Sequence, residues 1–243
     1  MYLLTHVLLP LASLAVILCI WRLVYKRGWN KILPVFSRYV AFYFISTALL
    51  LGIFYCGLYP GRMQATICLL YSYGNYSVDI VTTIFLLVVL YELLIYARQN
   101  RAKIQVRVIA IIGVMALAAA IALAIVSTIA SEAPNYCLRL AYFDDVFAKL
   151  TKLILLGLFT AMVALKIRFR LRWGRAVSLI VLGLVQFYLL DFAISVAVYN
   201  GHLRRVSDVL VQSSAFIWWV LWWFAVRKAP DTSVPAGAAA VLG

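Results

Sequence analysis

The chain has 243 residues, of which 66% are hydrophobic and 12% are charged, and its mean hydropathy is +1.02. Soluble domains carry about 25% charged residues, so this composition excludes an ordinary soluble protein and indicates an integral membrane protein. The net charge of +14 would suggest nucleic-acid binding in a soluble protein. Here the basic residues lie in short connectors between apolar segments, where they set orientation in a membrane. We therefore expect contact with membrane lipids and not with nucleic acid.

Seven apolar segments follow one another along the chain, and each is long enough for the roughly 20 residues that a bilayer core requires. They cover residues 2–25, 34–58, 75–97, 105–130, 142–166, 176–199 and 206–226. Unpaired backbone groups are excluded from hydrocarbon, and the segments lack the alternation of a membrane barrel, so each is expected to be a helix. The sequence thus predicts an all-α, polytopic membrane bundle of seven transmembrane helices over residues 1–228, followed by a disordered cytoplasmic tail over residues 229–243.

Lysine and arginine are concentrated in alternate connectors. The stretches "YKRGWNK", "RQNRAKIQVR", "KIRFRLRWGR" and "VRK" are strongly basic, whereas the intervening connectors contain only Arg62, Arg139, Arg204 and Arg205. Because basic connectors stay on the cytoplasmic side, the pattern predicts an outer N-terminus and an inner C-terminus in a bacterial inner membrane. The first segment carries its charges after its apolar run, which is typical of a retained helix and not of a cleaved signal peptide.

All seven tryptophans fall towards the inner ends of the segments, and four of them belong to the run "WWVLWWF" at 218–224. Aromatic rings with one polar edge favour the membrane interface. The run is therefore predicted to anchor the last helix at the inner interface and not to form a cofactor site.

Three of the four cysteines fall at the outer side of the predicted bundle. A disulfide between Cys68 and Cys137 would tie the second connector to the fourth, and it requires an oxidising compartment. Cys56 is the third outer thiol, so other pairings and free thiols stay open as alternatives.

The first three segments and the last three share several residues in the same order. Trp29, Phe42, Tyr43, Tyr55 and Asp79 are answered by Trp173, Phe187, Tyr188, Tyr199 and Asp208. This order predicts a 3+1+3 plan, in which two parallel repeats of three helices are joined by one extra helix. The fourth segment is uncharged and rich in alanine, which favours close helix packing. The shared residues are common in membrane proteins, so a chance match is the alternative.

Ionisable side chains inside apolar segments suggest a functional site, because a central charge costs about 3 kcal/mol. We hypothesise an outward-facing polar pocket between the third, fifth, sixth and seventh helices. It is built from Asp79, Lys149, Lys152, Asp191 and Gln212. Asp145 lies one helical turn before Lys149 and can pair with it, whereas Lys152 requires another partner, namely Asp191, Asp79 or water. The alternative is that the lysines extend to the interface and that one ion pair is purely structural.

One further acidic residue, Glu92, lies near the inner end of the third segment, apart from the hypothesised pocket. A carboxylate at this depth needs a partner. We expect it to pair with a cytoplasmic arginine, Arg38 or Arg98, as a clamp between helix ends.

Sequence signatures of enzymes are missing. The chain has no glycine-rich phosphate loop, no HExxH and no GxSxG, and it contains two histidines. We therefore assign no catalytic residue and no cofactor, and no metal site, because no group of His, Cys and carboxylate side chains has ligand spacing. A retinal protein is disfavoured because the last segment contains no lysine for a Schiff base.

Two short motifs, "LPVFSRYVAFY" at 33–43 and "YELLIYA" at 91–97, occur together with the acidic Asp191 of the sixth segment. With these features the chain resembles a group of uncharacterised bacterial seven-helix membrane proteins, to which no activity is attached. Its helix plan also resembles that of the seven-helix sugar transporters, although their paired Pro-Gln signature is missing here.

The function expected from the sequence is that of a non-catalytic, receptor-like or accessory membrane protein. Its outer pocket would bind a small ligand, or its lipid-facing surface would dock a membrane complex or a second copy of the chain. The alternative is a transporter of small molecules or protons, in which Asp191 and Lys149 gate the pathway or couple to protons. A membrane enzyme is the third choice.

Overall fold

The computed structural model describes residues 7–57, 64–98, 106–131, 136–168, 174–199 and 207–228, and within these ranges the chain forms eight helices and no strand. The helices are α1 (Leu9–Lys26), α2 (Trp29–Ile32), α3 (Pro34–Gly57), α4 (Gln64–Arg98), α5 (Val106–Ala130), α6 (Tyr136–Arg168), α7 (Arg175–Tyr199) and α8 (Ser207–Val226). Seven of them, all except the single turn α2, are long and apolar enough to cross a membrane. The predicted seven-helix, multi-pass bundle is confirmed, whereas its orientation stays a prediction and the tail at 229–243 lies outside the described residues.

Two prolines lie at helix starts, and one glycine turns the chain between α1 and α3. Pro10 lies in the first turn of α1 and Pro34 at the start of α3, where the missing N–H of proline costs nothing. After α1 the chain turns at Gly28, whose φ of +78° lies in the left-handed region that favours glycine. The indole N–H of Trp29 then donates to the carbonyl oxygen of Lys228, with 3.0 Å between nitrogen and oxygen, and ties this turn to the end of α8.

Six of the spanning helices form a closed ring. Its order is α1, α3, α4, α6, α7 and α8, with α8 packed back against α1. Helix α5 lies outside the ring against α4 and α6, and it exposes apolar side chains such as Ile111, Met115 and Ile129. Such a surface suits contact with lipid, because hydrocarbon tails are as apolar as these side chains.

The order of the ring agrees with the predicted repeat. If α1, α3 and α4 are exchanged with α6, α7 and α8, the contacts within one triplet become the contacts within the other. The junction between α4 and α6 likewise becomes the junction between α8 and α1. This adjacency is the one that a twofold axis along the bundle would produce, while common descent of the two triplets stays a prediction.

The two halves of the bundle differ in how tightly they are packed. We define the basic end as the end that carries the connectors rich in lysine and arginine, and the basic half as the half of the bundle next to it. Most of the largest fully buried side chains lie in this half. They include Trp219, Trp222, Tyr39, Phe36, Phe159, Ile20 and Leu86. An aromatic and aliphatic core that draws on α1, α3, α4, α6 and α8 therefore fills the basic half.

Three tryptophans of the run "WWVLWWF" belong to this core, and for these three the prediction of an anchor at the interface was wrong. The side chains of Trp218, Trp219 and Trp222 are almost completely buried. Their spacing places them on the side of α8 that packs against aromatic rings of α3 and α7. The indole N–H of Trp222 donates to the carbonyl oxygen of Ile180 across 3.0 Å, so its polar edge is satisfied inside the protein.

The cysteines leave the disulfide prediction open. Cys68 and Cys137 lie in α4 and α6, but their side chains lie outside the described part of the structure. Cys56, at the end of α3, is a free and exposed thiol. The pairing of Cys68 with Cys137 therefore stays a prediction.

Candidate functional site

An ion pair joins α6 to α7 within the apolar part of the bundle. The Lys152 Nζ lies 2.7 Å from the Asp191 Oδ2, and the two side chains are 34% and 6% exposed. Lys152 lies in the apolar span Asp145–Ala164 and Asp191 in Arg175–Ile194. Since each charge alone would be costly at this depth, the contact compensates both. Of the partners considered for Lys152, the structure brings Asp191 to it.

This ion pair forms part of the wall of a cavity of about 210 Å³, which we name the pair cavity. The cavity lies between α3, α4, α6, α7 and α8. Its polar lining comes from Asp79, Thr82, Thr83, Thr151, Lys152 and Asp191, and its aromatic lining from Tyr43, Phe147, Phe187, Tyr188 and Trp218. A small number of polar groups on an apolar, aromatic wall is the usual composition of a small-molecule site.

Two polar atoms in the wall of the pair cavity lack a hydrogen-bond partner within the described part of the chain. They are the Thr82 hydroxyl and the indole N–H of Trp218, whose side chain is only 2% exposed. The other two threonines of the wall donate to carbonyl oxygens of their own helices, Thr83 to Asp79 and Thr151 to Phe147, each at 2.9 Å. Because buried polar groups are nearly always paired, these two groups keep unused hydrogen-bonding capacity in the wall of the cavity.

A second cavity of about 260 Å³ lies beside the first, between α1, α3, α4 and α8. We name it the amide cavity, because Asn75 and Gln212 line it. The Asn75 amide donates to the Asp79 Oδ2 at 3.4 Å. Asp79 and Tyr43 line both cavities, so the two spaces meet at these side chains.

The hypothesised pocket is therefore divided in the structure. Asp79, Lys152 and Asp191 line the pair cavity, and Gln212 lines the amide cavity. Lys149 lies outside both cavities. It contacts the Asp145 Oδ2 at 2.6 Å, and the two side chains are 57% and 56% exposed. An exposed pair one helical turn apart contributes little to stability.

The clamp residue Glu92 is 4% exposed and binds the start of a neighbouring helix. Its carboxylate accepts the backbone N–H groups of Val35 at 2.8 Å and of Phe36 at 2.9 Å. Helix α3 needs such a cap, since Leu33 before it has no polar side chain and Pro34 has no N–H. The carboxylate thus completes the first turn of α3 and opposes the positive end of its dipole.

Of the two arginines proposed for the clamp, Arg38 lies in the second turn of α3 and supplies a positive charge near Glu92. No ion pair within 4 Å joins these two side chains in the described residues. The side chain of Arg98 lies outside the described part. Sequence reasoning missed the cap, although a helix that begins "LPVFS" without Ser, Thr, Asp or Asn before its proline is a signal for a cap from elsewhere.

Within the described ranges, no group of three or more His, Cys, Asp or Glu side chains could hold a metal ion. The fold and the site together define a helical membrane bundle with two adjoining cavities and one ion pair in the wall of one cavity. No family model matches the chain, and no curated protein and no solved structure matches it either.

Proposed function

We propose that the protein is a receptor-like membrane protein that binds a small polar ligand in the pair cavity. The observation that carries this proposal is the Lys152–Asp191 pair, which lies in the wall of a cavity instead of being enclosed by packed side chains. A pair that only joined two helices would gain nothing from an adjoining space, because a buried pair is favourable only when neighbouring groups satisfy its remaining hydrogen bonds.

The unpaired wall groups support the same proposal. Thr82 and Trp218 offer hydrogen bonds to an occupant of the cavity, and the neighbouring rings offer apolar contact. Specific sites usually combine these two features in a pre-formed space.

The route of entry follows from the packing of the two halves. Side chains such as Phe36, Tyr39 and Trp222 fill the basic half, whereas both cavities lie towards the other end. A ligand would therefore enter from the end opposite the basic connectors. With the orientation expected from the charge pattern, this end faces outwards across a bacterial inner membrane.

The experiment is native mass spectrometry of the protein released from its own membrane, followed by ligand titration in nanodiscs. The key variant replaces Lys152 by Met and Asp191 by Leu, which removes both charges at nearly constant volume. The control variant replaces Lys149 by Met and Asp145 by Leu, the exposed pair on α6. We expect a bound small molecule in the wild type and the control and its loss in the key variant. Equal binding in all three would reject the site, and absence of any bound molecule or titratable ligand would reject the function.

A transporter is the second candidate, favoured by the arrangement of the helices and the cavities. The ring contacts have the order that a twofold repeat would produce, and two cavities meet at Asp79 and Tyr43. Secondary transporters commonly bind substrate near the bilayer midplane between two such repeats. In proteoliposomes, Asp191→Asn should abolish solute uptake or proton flux while the protein stays folded. Flux equal to that of the wild type would exclude this candidate.

A further inference from the structure

We infer that the ligand of the pair cavity is a small zwitterion that carries one carboxylate and one amine, such as an amino acid with an apolar side chain. This inference rests on the proposed function and adds to it the chemical class of the ligand. It follows from the charges, the hydrogen-bond donors and the size of the cavity.

The balance of charge is the first argument. Lys152 and Asp191 neutralise each other across 2.7 Å in the wall of the cavity, and the second carboxylate of the wall, Asp79, accepts the Asn75 amide at 3.4 Å. An anionic ligand bound to Lys152 would compete with Asp191 for the ammonium group and weaken the ion pair. A cationic ligand bound to Asp191 would weaken the same ion pair from the other side. A zwitterion inserted between them replaces one ion pair with two, so neither buried charge loses its partner. Its own net charge is zero, which keeps the charge of the membrane interior unchanged.

The donors in the wall are the second argument. The ammonium group of Lys152 has three N–H donors, of which the contact with Asp191 uses one. Trp218 adds a buried indole N–H and Thr82 a hydroxyl, both without partners in the described residues. A carboxylate has two oxygens with about four acceptor positions, so it can receive hydrogen bonds from all three groups. All three residues line the pair cavity, so the wall matches a carboxylate in its number of donors.

The same wall carries acidic and aromatic side chains. Asp191, Tyr188 and Phe187 line the cavity from α7, and Asp79 lines it from α4. An amine attracts carboxylates, and it also interacts favourably with the faces of aromatic rings. The site thus offers partners for an ammonium group within the same small space that binds the carboxylate.

The remaining wall and the volume define the rest of the ligand. Leu155, Phe147 and Val211 are apolar and line the cavity next to the charged groups. The volume of about 210 Å³ is smaller than that of a typical drug-sized site, which starts at about 300 Å³. A compact ligand with one short apolar side chain fits this space, whereas a nucleotide or an oligosaccharide does not.

The test is a titration of the full-length protein in nanodiscs with three matched probes, read out by calorimetry. The probes are leucine, 3-methylbutylamine, which lacks the carboxylate, and 4-methylpentanoate, which lacks the amine. Alanine and phenylalanine are added to vary the side chain. We expect at least one of the amino acids to bind. The two analogues of leucine, 3-methylbutylamine and 4-methylpentanoate, should bind roughly 10- to 100-fold more weakly than leucine, since a charged hydrogen bond contributes about 1.5 to 3 kcal/mol.

Variants then test which side chain binds the carboxylate. Trp218→Phe removes the indole N–H and keeps a ring, so it should weaken amino-acid binding by roughly 2- to 10-fold and 3-methylbutylamine binding not at all. Trp223→Phe, outside the cavity, is the matched control. A purely structural role for Trp218 would weaken all probes equally and would leave their ranking unchanged.

The outcomes separate the ligand class from the function. If the amine or the acid alone binds as tightly as the amino acid, the zwitterion inference is overturned while ligand binding in the pair cavity stands. If amino acids bind equally well after replacement of both Lys152 and Asp191, the inference is also overturned, because the charges do not select the ligand. If no probe binds but native mass spectrometry finds another molecule, the ligand class is wrong. If neither method finds a ligand, both proposals fail.

Discussion

The basic half of the bundle and the half opposite it use the same kinds of residue for different purposes. In the basic half, Trp222 donates to the carbonyl oxygen of Ile180 and Glu92 caps α3, so these polar groups hold helices together. In the opposite half, Lys152 and Asp191 form an ion pair in the wall of a cavity. We therefore expect stability to depend mainly on the tightly packed basic half. Ligand binding should depend on the half that contains the two cavities.

The two charged residues of the pair cavity should show the largest effect. Lys152→Met alone leaves the Asp191 carboxylate without its cation, which typically costs about 3 to 5 kcal/mol for a buried pair. Removal of both charges, with Lys152→Met and Asp191→Leu together, should restore stability to near that of the wild type. Unfolding in mixed detergent measures both. If the double variant is as unstable as the single one, the pair is needed for the fold and the comparison of the two halves is wrong.

The filled half should be sensitive to truncation of its central ring. Trp222→Ala removes a fully buried side chain that contacts Phe36, Tyr39, Trp218 and Trp219. Such a truncation costs about 3 to 5 kcal/mol, and detergent unfolding would detect it. Trp223→Ala is the control, because this ring is only partly buried. Equal losses for the two variants would contradict a core centred on Trp222.

The cap of α3 should contribute a smaller amount. Glu92→Leu leaves the N–H groups of Val35 and Phe36 without their acceptor, which should cost about 1 to 3 kcal/mol. Glu92→Gln keeps one acceptor oxygen and should lose less. Hydrogen exchange of the peptide that contains these two amides measures the effect locally. Unchanged exchange in Glu92→Leu would show that the carboxylate does not hold the start of α3.

Because α7 and α8 pack closely, replacing Gly183 of α7 by alanine should destabilise the protein, whereas replacing Gly157 of α6 should not. A Cβ at Gly183 would lie 3.0 Å from the Trp218 Cδ1 and 3.2 Å from the Trp222 Nε1, whereas a Cβ at Gly157 would meet nothing within 4 Å. Gly183→Ala should therefore cost about 1 to 3 kcal/mol. Gly157→Ala should be neutral or stabilising by up to about 1 kcal/mol. Equal stabilities for the two variants would mean that the rings do not pack against α7 as described.

The exposed pair on α6 should have the smallest effect. Lys149→Met removes the partner of Asp145 at a position where both side chains are more than half exposed. Exposed pairs of this spacing contribute about 0.3 to 0.5 kcal/mol. A loss as large as that of Lys152→Met would show that the two lysines do not differ in the way their surroundings indicate.

Sequence reasoning captured what depends on position along a helix and missed what depends on the neighbouring helix. Segment length and hydropathy suffice for the seven spans, and one turn of spacing suffices to pair Lys149 with Asp145. That Lys152 needed a partner from elsewhere was also visible, because its own helix offered none. The burial of Trp218 was not visible, since tryptophan is common both at interfaces and in cores. We expected Glu92 to pair with an arginine. A pattern of side chains does not indicate that the backbone N–H groups at the start of α3 need an acceptor.

The most direct test of ligand binding in the pair cavity is a density map of the protein purified with its native lipids. We predict non-protein density in the pair cavity, within hydrogen-bond distance of the Lys152 ammonium and the Trp218 indole N–H, and of a size compatible with an amino acid. A cavity closed by its own side chains, with Lys152 turned towards lipid, would contradict the proposed site.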